Sequence, residues 1–358
     1  MTRDGFPLLM AMHRLRSPLR AVVWAADVDR MDTMTVNRRQ LLSLAAASAA
    51  SPLVHGFASA EAYPDRPVRV LVGFPAGGGA DILTRVVTDW LQTRLGQPFI
   101  VENRPGAGTN LATEAVVRSA PDGYTLLATT TSNLLNGALY DDLKYDFVRD
   151  IAPVASLSFQ PLVLVVNAAT PVNSVPEFIA YAKSKPGAIN IGNTGVGTIS
   201  HLAAEAFRTG AGIDFLHVPY RGGAPMQTDV LGGRLHAAFD NIPGSIGHLR
   251  TGSLRAVAVT TAKRAEALPG VSSNGEFITN YDAFTVAGIG APAGTSAERI
   301  GKLNAEINAG LNDPKLSARL AELGTTTLPG SPAAFKELIA RETEKWAKVI
   351  KASGVKVN

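Results

Sequence analysis

VRVLVGFPAGGGADILTRVVTDWLQTRLG, residues 68–96, reads as a strand, a glycine triplet and a helix. VRVLVGF is a short, mostly apolar β-run. After it, Ile82, Leu83, Val86, Val87, Trp90, Leu91 and Leu95 fall on one stripe at helical spacing, and Gly96 is a stop signal. Gly77-Gly78-Gly79 between them costs backbone entropy that something must offset. Three explanations compete: a bound phosphate, a bound carboxylate, or a tight strand-helix turn. Asp81 at the start of the stripe reads as a helix cap under any of them.

The same alternation continues outward. PFIVENR is a second strand, PGAGTNLATEAVVRSA a second glycine-led helix, Pro121-Asp122-Gly123 a turn and YTLLATT a third strand. From about 189 to 261 a second series repeats it: INIGN, TISHLAAEAFRTG, DFLHVPY, APMQTDVLGG, LHAAFDN, SIGHLRTG and LRAVAVTT. Between the series lies the apolar run FQPLVLVVNAATPVNS. After them come DAFTVAGIGAPAGTS and two amphipathic helices, 296–312 and 332–353. The pattern predicts an α/β protein of two lobes, each a mainly parallel sheet flanked by helices. Residues 62–165 plus 284–358 form lobe 1 and 166–283 form lobe 2, so the chain crosses between lobes twice.

Residues 37–61 form a different unit. Arg38-Arg39 stands directly before Gln40-Leu41-Leu42 and an apolar run of small residues. It ends in the small-x-small sites Ala58-Ser59-Ala60 and Ala60-Glu61-Ala62. This is the layout of a secretory signal, and the arginine pair resembles a twin-arginine signal with Asn37 where Ser or Thr is usual. The run is too short to span a bilayer. Residues 1–36 read as an over-long gene start, with Met31 and Met34 as candidate true starts. Cleavage after Ala60 or Ala62 would leave the protein in the periplasm.

Export changes the charge reading. The whole chain has 34 basic and 30 acidic residues and a net charge of +4. Seven of those arginines and four aspartates lie in residues 1–60, which leaves 27 against 26 and a net charge of +1. Nucleic-acid binding therefore loses its main support. The absence of cysteine excludes disulfides, thiolate metal sites and a cysteine nucleophile.

In parallel α/β sheets, ligands sit beyond the carboxyl ends of the strands. The loops there, 74–81, 103–110, 129–133, 193–201, 220–224 and 240–245, are rich in Gly, Thr, Ser and Asn. They hold only two arginines, Arg104 and Arg221, and no lysine. Helices opening on glycine can turn free N–H groups toward an anion. GFPAGGGAD lacks the Gly-Lys-Ser/Thr ending of a P-loop and fails the G-x-G-x-x-G spacing, and GNTGVGTIS has no lysine, so a nucleotide site is weakly supported. An enzyme is the competing class, a periplasmic hydrolase acting on a small carboxylated substrate in the same cleft. No G-x-S-x-G elbow exists, however, and His201, His217, His236 and His248 lack metal-ligand spacing. Ser200-His201 with Asp240 is the one conceivable hydrolytic group, and adjacent residues on a helix point about 100° apart. No catalytic residue, metal or cofactor is expected.

YPDRPVRVLVGFPAGGGADILTR, ENRPGAGTN, APDGYTLL, DIAPVA, HVPYRGGAP and FDN, in this order, resemble the Bug-type solute receptors. These are the extracytoplasmic binding components of tripartite tricarboxylate transporters. The resemblance covers 62–358. It implies a two-lobed periplasmic-binding-protein fold that closes on a small carboxylate: a dicarboxylate, tricarboxylate, amino acid or aromatic acid. It also implies that the loops at 74–81 and 195–201 grip the carboxylate, with Ser132 and Asp240 in the cleft. Carried over by position, the ligand-binding residues are Phe74, Ala76, Gly78, Gly79, Ser132, Thr194, Thr198, Ser200, His201 and Asp240. Tyr220 and Arg221 are rim candidates. The implied partners are membrane-embedded transporter subunits, or a sensor protein, and the receptor is expected to be a monomer. Asp240 would repel a second carboxylate beside it and favour an ammonium or hydroxyl.

Overall fold

The computed structural model describes residues 63–353 together with Val355 and Val357. The readings of residues 1–36 and of the signal at 37–61 lie outside the described residues.

The opening stretch folds as β1 (Val68–Val72) followed by α1 (Gly79–Leu95), whose C-terminus is closed by Gly96 in the left-handed region. Then come β2 (Phe99–Asn103), α2 (Asn110–Val117), β3 (Thr125–Thr129), α3 (Thr131–Leu139) and the single turn α4 (Phe147–Asp150). β4 (Ile151–Asn167) is seventeen residues long. The second series gives α5 (Val175–Lys183), β5 (Asn190–Asn193), α6 (Ile199–Ala211), β6 (Leu216–Pro219) and α7 (Gly223–Leu231). It continues through β7 (Ala237–Asn241), α8 (Ile242–Arg250) and β8 (Leu254–Val259). The chain ends its described part with β9 (Phe284–Pro292), α9 (Ala297–Leu311), α10 (Pro314–Glu322), β10 (Thr326–Thr327) and α11 (Pro332–Ser353).

The strands join in the order β2-β1-β3-β9-β4-β7-β5-β6, with β8 and β10 also paired to β4. The outer strands are parallel, as βαβ connections require: β1 with β2 and β3, and β5 with β6 and β7. The centre is antiparallel, because β9 and β4 each return through the sheet. The sheet is therefore mixed, parallel at its flanks and antiparallel where the two halves meet. β4 is shared. Its residues 151–161 pair with β9, 162–166 pair with β7 on one side and 163–167 with β8 on the other. The handover falls at Pro161/Leu162.

Alternation along the strands sends side chains to two faces. Val68, Val70 and Val72 of β1 pack with Leu83, Val87 and Leu91 of α1, and with Leu303 and Ile307 of α9. Leu71 points the other way, into a cluster with Val116, Leu127, Phe335 and Ile339. In the second half, Phe178, Phe207 and Phe239 centre one face, and Val163, Met226, Val230 and Ile246 the other. Four apolar clusters thus cover the two faces of each half. The polar strand ends and helix starts are left to meet between the halves.

Candidate functional site

The N-termini of α1, α3, α6 and α7 converge on one buried cavity. It is lined by Phe74, Gly78 and Gly79 from the first loop, Thr130 and Ser132 from α3, and Thr194 and Ile199 from the turn before α6. Gly223 and Asp240 complete the wall, and Gln160, Asn241 and Thr285 line the part nearest the sheet. The volume is about 20 Å³, room for about one water. Gly78, Thr198 and Gly222, the N-caps of α1, α6 and α7, make no side-chain capping bond. The first turns of these helices are thus without a side-chain cap, and Gly78, Gly79, Ile199 and Gly223 bring the positive ends of their helix dipoles to the cavity wall. No lysine or arginine lines it.

The three glycines of the opening stretch serve three different needs. Gly77 has φ +80°, a conformation other residues reach only with strain. Gly78 is the extended N-cap facing the cavity. Gly79 packs against the other half, where a Cβ would lie 2.9 Å from the Asn241 Cβ.

The loop at 74–81 is held from behind. The Gly77 N–H donates to Asp81 Oδ2 (2.9 Å), and Arg85 Nε donates to the same carboxylate (3.0 Å). Asn103 Nδ2 donates to both Asp81 Oδ1 and the Phe74 carbonyl (2.9 Å each). Burial pushes the Asp81 carboxyl up, but the bonds from Arg85, Gly77 and Asn103 outweigh it and hold it below its ordinary value.

The turn at 194–201 is built the same way, from its own side chains. Ser200 Oγ accepts the Thr194 N–H (2.8 Å), and Thr198 Oγ1 donates to the Gly195 carbonyl (2.7 Å). His201 Nδ1 accepts the Gly197 N–H (3.2 Å). This bond needs a neutral imidazole, and burial, reinforced by neighbouring His217, pushes His201 down to about 4. His217 lies edge-on to His201 at 4.7 Å and its Nε2 meets Glu205 at 3.0 Å. Glu205 is lowered to about 2, first by its hydrogen bond from Arg208. Across the cleft, the Ile199 N–H donates to Ser132 Oγ (3.4 Å), a direct link between the halves.

Asp240 is buried, with Oδ2 accepting from Gln227 Nε2 (2.6 Å) and Ser245 Oγ (2.7 Å). Burial pushes its carboxyl up despite these donors. Its Oδ1 lies so near Gly223 that a Cβ there would be 2.9 Å away.

Of the residues expected from the sequence, Phe74, Gly78, Gly79, Ser132, Thr194 and Asp240 line the cavity together. Ala76, Thr198, Ser200 and His201 do not. The last three turn their side chains into the 194–201 turn itself. Ser200, His201 and Asp240 make no bonds to one another and so form no hydrolytic triad. Tyr220 and Arg221 line a second, outer chamber of about 250 Å³ with Gly106–Thr109 and Tyr140. Tyr220 Oη donates to Asp229 (2.6 Å). Gln160, Thr285 and Asn241 were missed. Asn241 lies in the 240–245 loop and the FDN motif, and Gln160 is a polar residue inside an apolar run, whereas Thr285 carries no such signal. Among the described residues no group of three or more His, Asp or Glu is placed to hold a metal, and no helix is long and apolar enough to cross a membrane.

The model of the family described as "Tripartite tricarboxylate transporter family receptor" (TctC) matches residues 83–355. Protein BugT of Bordetella pertussis is 35% identical over 329 residues, spanning 90% of this chain and 100% of that protein. Rpa4515 of R. palustris, solved with adipate, superposes with a TM-score of 0.80 at 34% identity, covering 82% of this chain and 99% of that one. The periplasmic binding protein BugD gives 0.79 at 30% identity, covering 82% and 99%. MatC of Rhodopseudomonas palustris with bound malate gives 0.76 at 29% identity, covering 80% and 100%.

Proposed function

Because this chain belongs to the tripartite tricarboxylate transporter receptor family, we propose that it is a periplasmic receptor that closes on a small carboxylate and delivers it to membrane-embedded subunits. One observation carries the reading: uncapped helix N-termini from both sheet halves meet at a single cavity that no cationic side chain lines. Backbone amides and helix dipoles supply the positive potential, each helix end contributing about 0.3–1 kcal/mol and more when buried. A carboxylate fits this field, and relatives of this chain have been solved with adipate and with malate.

Asp240 limits what the rest of the ligand presents. A second carboxylate beside it would be repelled, whereas a hydroxyl or ammonium could donate to Oδ1. The small inner volume means that the ligand enters only when the halves part. The two halves then act as the lobes, flexing where β4 changes partners at Pro161/Leu162, a few residues before the boundary expected after residue 165. Binding across both lobes favours the closed form. Export through the signal around Arg38-Arg39 would bring the receptor to its substrate.

The test is calorimetry on the purified protein against dicarboxylates, hydroxy acids, amino acids and aromatic acids. A ligand at a hundred times its dissociation constant adds about 2.7 kcal/mol of stability. Selective binding with the ligand recovered unchanged supports the receptor. Turnover of the bound acid would instead establish an enzyme in the same cleft, and no binding across the panel would sink the carboxylate reading.

A further inference from the structure

α11 belongs to both halves of the molecule. Its first turns carry Phe335 and Ile339 into the cluster around Leu71 and Leu127, in the first half. Its later turns carry Trp346 and Ile350 into the cluster around Phe178, Phe207 and Phe239, in the second half. Twenty-two residues span about 33 Å, enough to reach from one core to the other. Between these anchors Lys345 lies over Phe284, the first residue of β9, with Nζ 4.6 Å from the ring centre.

Beyond α11, Val355 and Val357 are described. Val355 and Val357 pack on the second-half cluster. The Val357 N–H donates to the Leu139 carbonyl at the end of α3 (3.4 Å). Its side chain lies against Gly197: a Cβ at Gly197 would be 3.0 Å from Val357 Cγ2 and 2.8 Å from Leu139 Cδ1. Gly197 has φ +76°, and its N–H is the one that His201 Nδ1 accepts. Gly197 is therefore clamped from two sides, by His201 within its own turn and by Val357 and Leu139 from outside.

We infer that Val357 is a positioning residue for the ligand-gripping turn, a strap that presses Gly197 into place and links the 194–200 turn to α3 and α11. The strap touches neither the inner cavity nor the outer chamber. Its effect reaches a ligand only through the turn, so it acts on how long the closed form lasts. This consequence rests on the carboxylate reading given above, whereas the clamp on Gly197 does not.

Three proteins separate the possibilities: wild type, Val357→Asp and Val357→Ile. Hydrogen exchange of residues 194–201 is measured without ligand, and dissociation of malate and adipate by stopped flow. The strap predicts that Val357→Asp speeds exchange at 194–201 about tenfold, with the β-strand amides and the melting temperature unchanged. It also raises the dissociation rate about tenfold with little change in association. Val357→Ile, which keeps the apolar contact, behaves as wild type. Unchanged exchange at 194–201 in Val357→Asp overturns the inference, as does a uniform loss of protection across the fold. Altered exchange in a protein whose wild type binds neither acid, nor any other carboxylate, would leave the strap standing and overturn the carboxylate reading instead.

Discussion

Gly79 and Asn241 meet across the cleft with no space for a methyl group, since a Cβ on Gly79 would lie 2.9 Å from the Asn241 Cβ. Gly78, its neighbour, is different. A Cβ there meets nothing nearer than the Pro75 carbonyl at 3.5 Å, an ordinary contact. Gly79→Ala should therefore hold the halves apart and weaken ligand binding about tenfold, equal to about 1.4 kcal/mol. Gly78→Ala should stay within a few-fold of wild type. Calorimetry on both variants checks the order, and equal effects would refute the closure role of Gly79.

Asn103 holds the first gripping loop through one amide nitrogen shared by Phe74 and Asp81. Asn103→Ala removes a donor from the buried Asp81 carboxylate and should cost about 1–3 kcal/mol in urea unfolding. Asn103→Asp should cost more, because it sets a second carboxylate against the first. Ligand affinity should fall in the same order.

The pH dependence has a definite sign. His201 is neutral in the fold, lowered to about 4, whereas unfolded histidine titrates near 6.5. The unfolded chain binds more protons between these values, so stability falls as pH drops from about 6.5 to about 4. The full displacement corresponds to at most about 3 kcal/mol. His236, also lowered by burial, adds to the same window. Asp81 and Glu205 are also lowered, so they too lose stability as pH falls, but at lower pH, from the ordinary carboxylate range downward. His201→Gln keeps an acceptor for the Gly197 N–H without a titrating ring. It should flatten the stability profile between pH 4.5 and 6.5, measured by urea unfolding, and an unchanged slope would refute the assignment.

Asp240→Asn retains an oxygen for Gln227 and Ser245 and should fold normally. It removes the negative charge near Gly223, so a hydroxy acid or amino acid should lose about tenfold in affinity while a plain dicarboxylate loses little. Competition between malate and adipate before and after the substitution reads this directly. Equal losses for both would mean that Asp240 serves the architecture alone.

Local signals carried much of this structure. The apolar run at 68–72, the helix after Gly77–Gly79 and the amphipathic stretches near 297–311 and 332–353 lie where the sequence puts them, to within a residue or two, whereas the helix read over 105–120 is confined to Asn110–Val117. The pairing of β4 with β9 was not legible, because it joins residues more than a hundred positions apart through contacts that leave no local pattern. α3 was read as a turn, since Thr131-Ser132-Asn133 looks like loop chemistry until Leu134 and Leu135 are seen to continue a helix. The site divides along the same line. A motif locates a loop but not the direction of its side chains. Thr198, Ser200 and His201 satisfy their own backbone, whereas Gln160 reaches the cavity from a strand, marked only by being polar in an apolar run.

Sharing β4 has a thermodynamic consequence. Neither half owns a complete sheet, because Leu162–Val166 pair with β7 on the same strand whose earlier residues pair with β9. Melting one half would strip the backbone partners from the other's central strand. The two halves, proposed to flex as separate lobes, should nonetheless unfold together, in one calorimetric transition whose van't Hoff and calorimetric enthalpies agree.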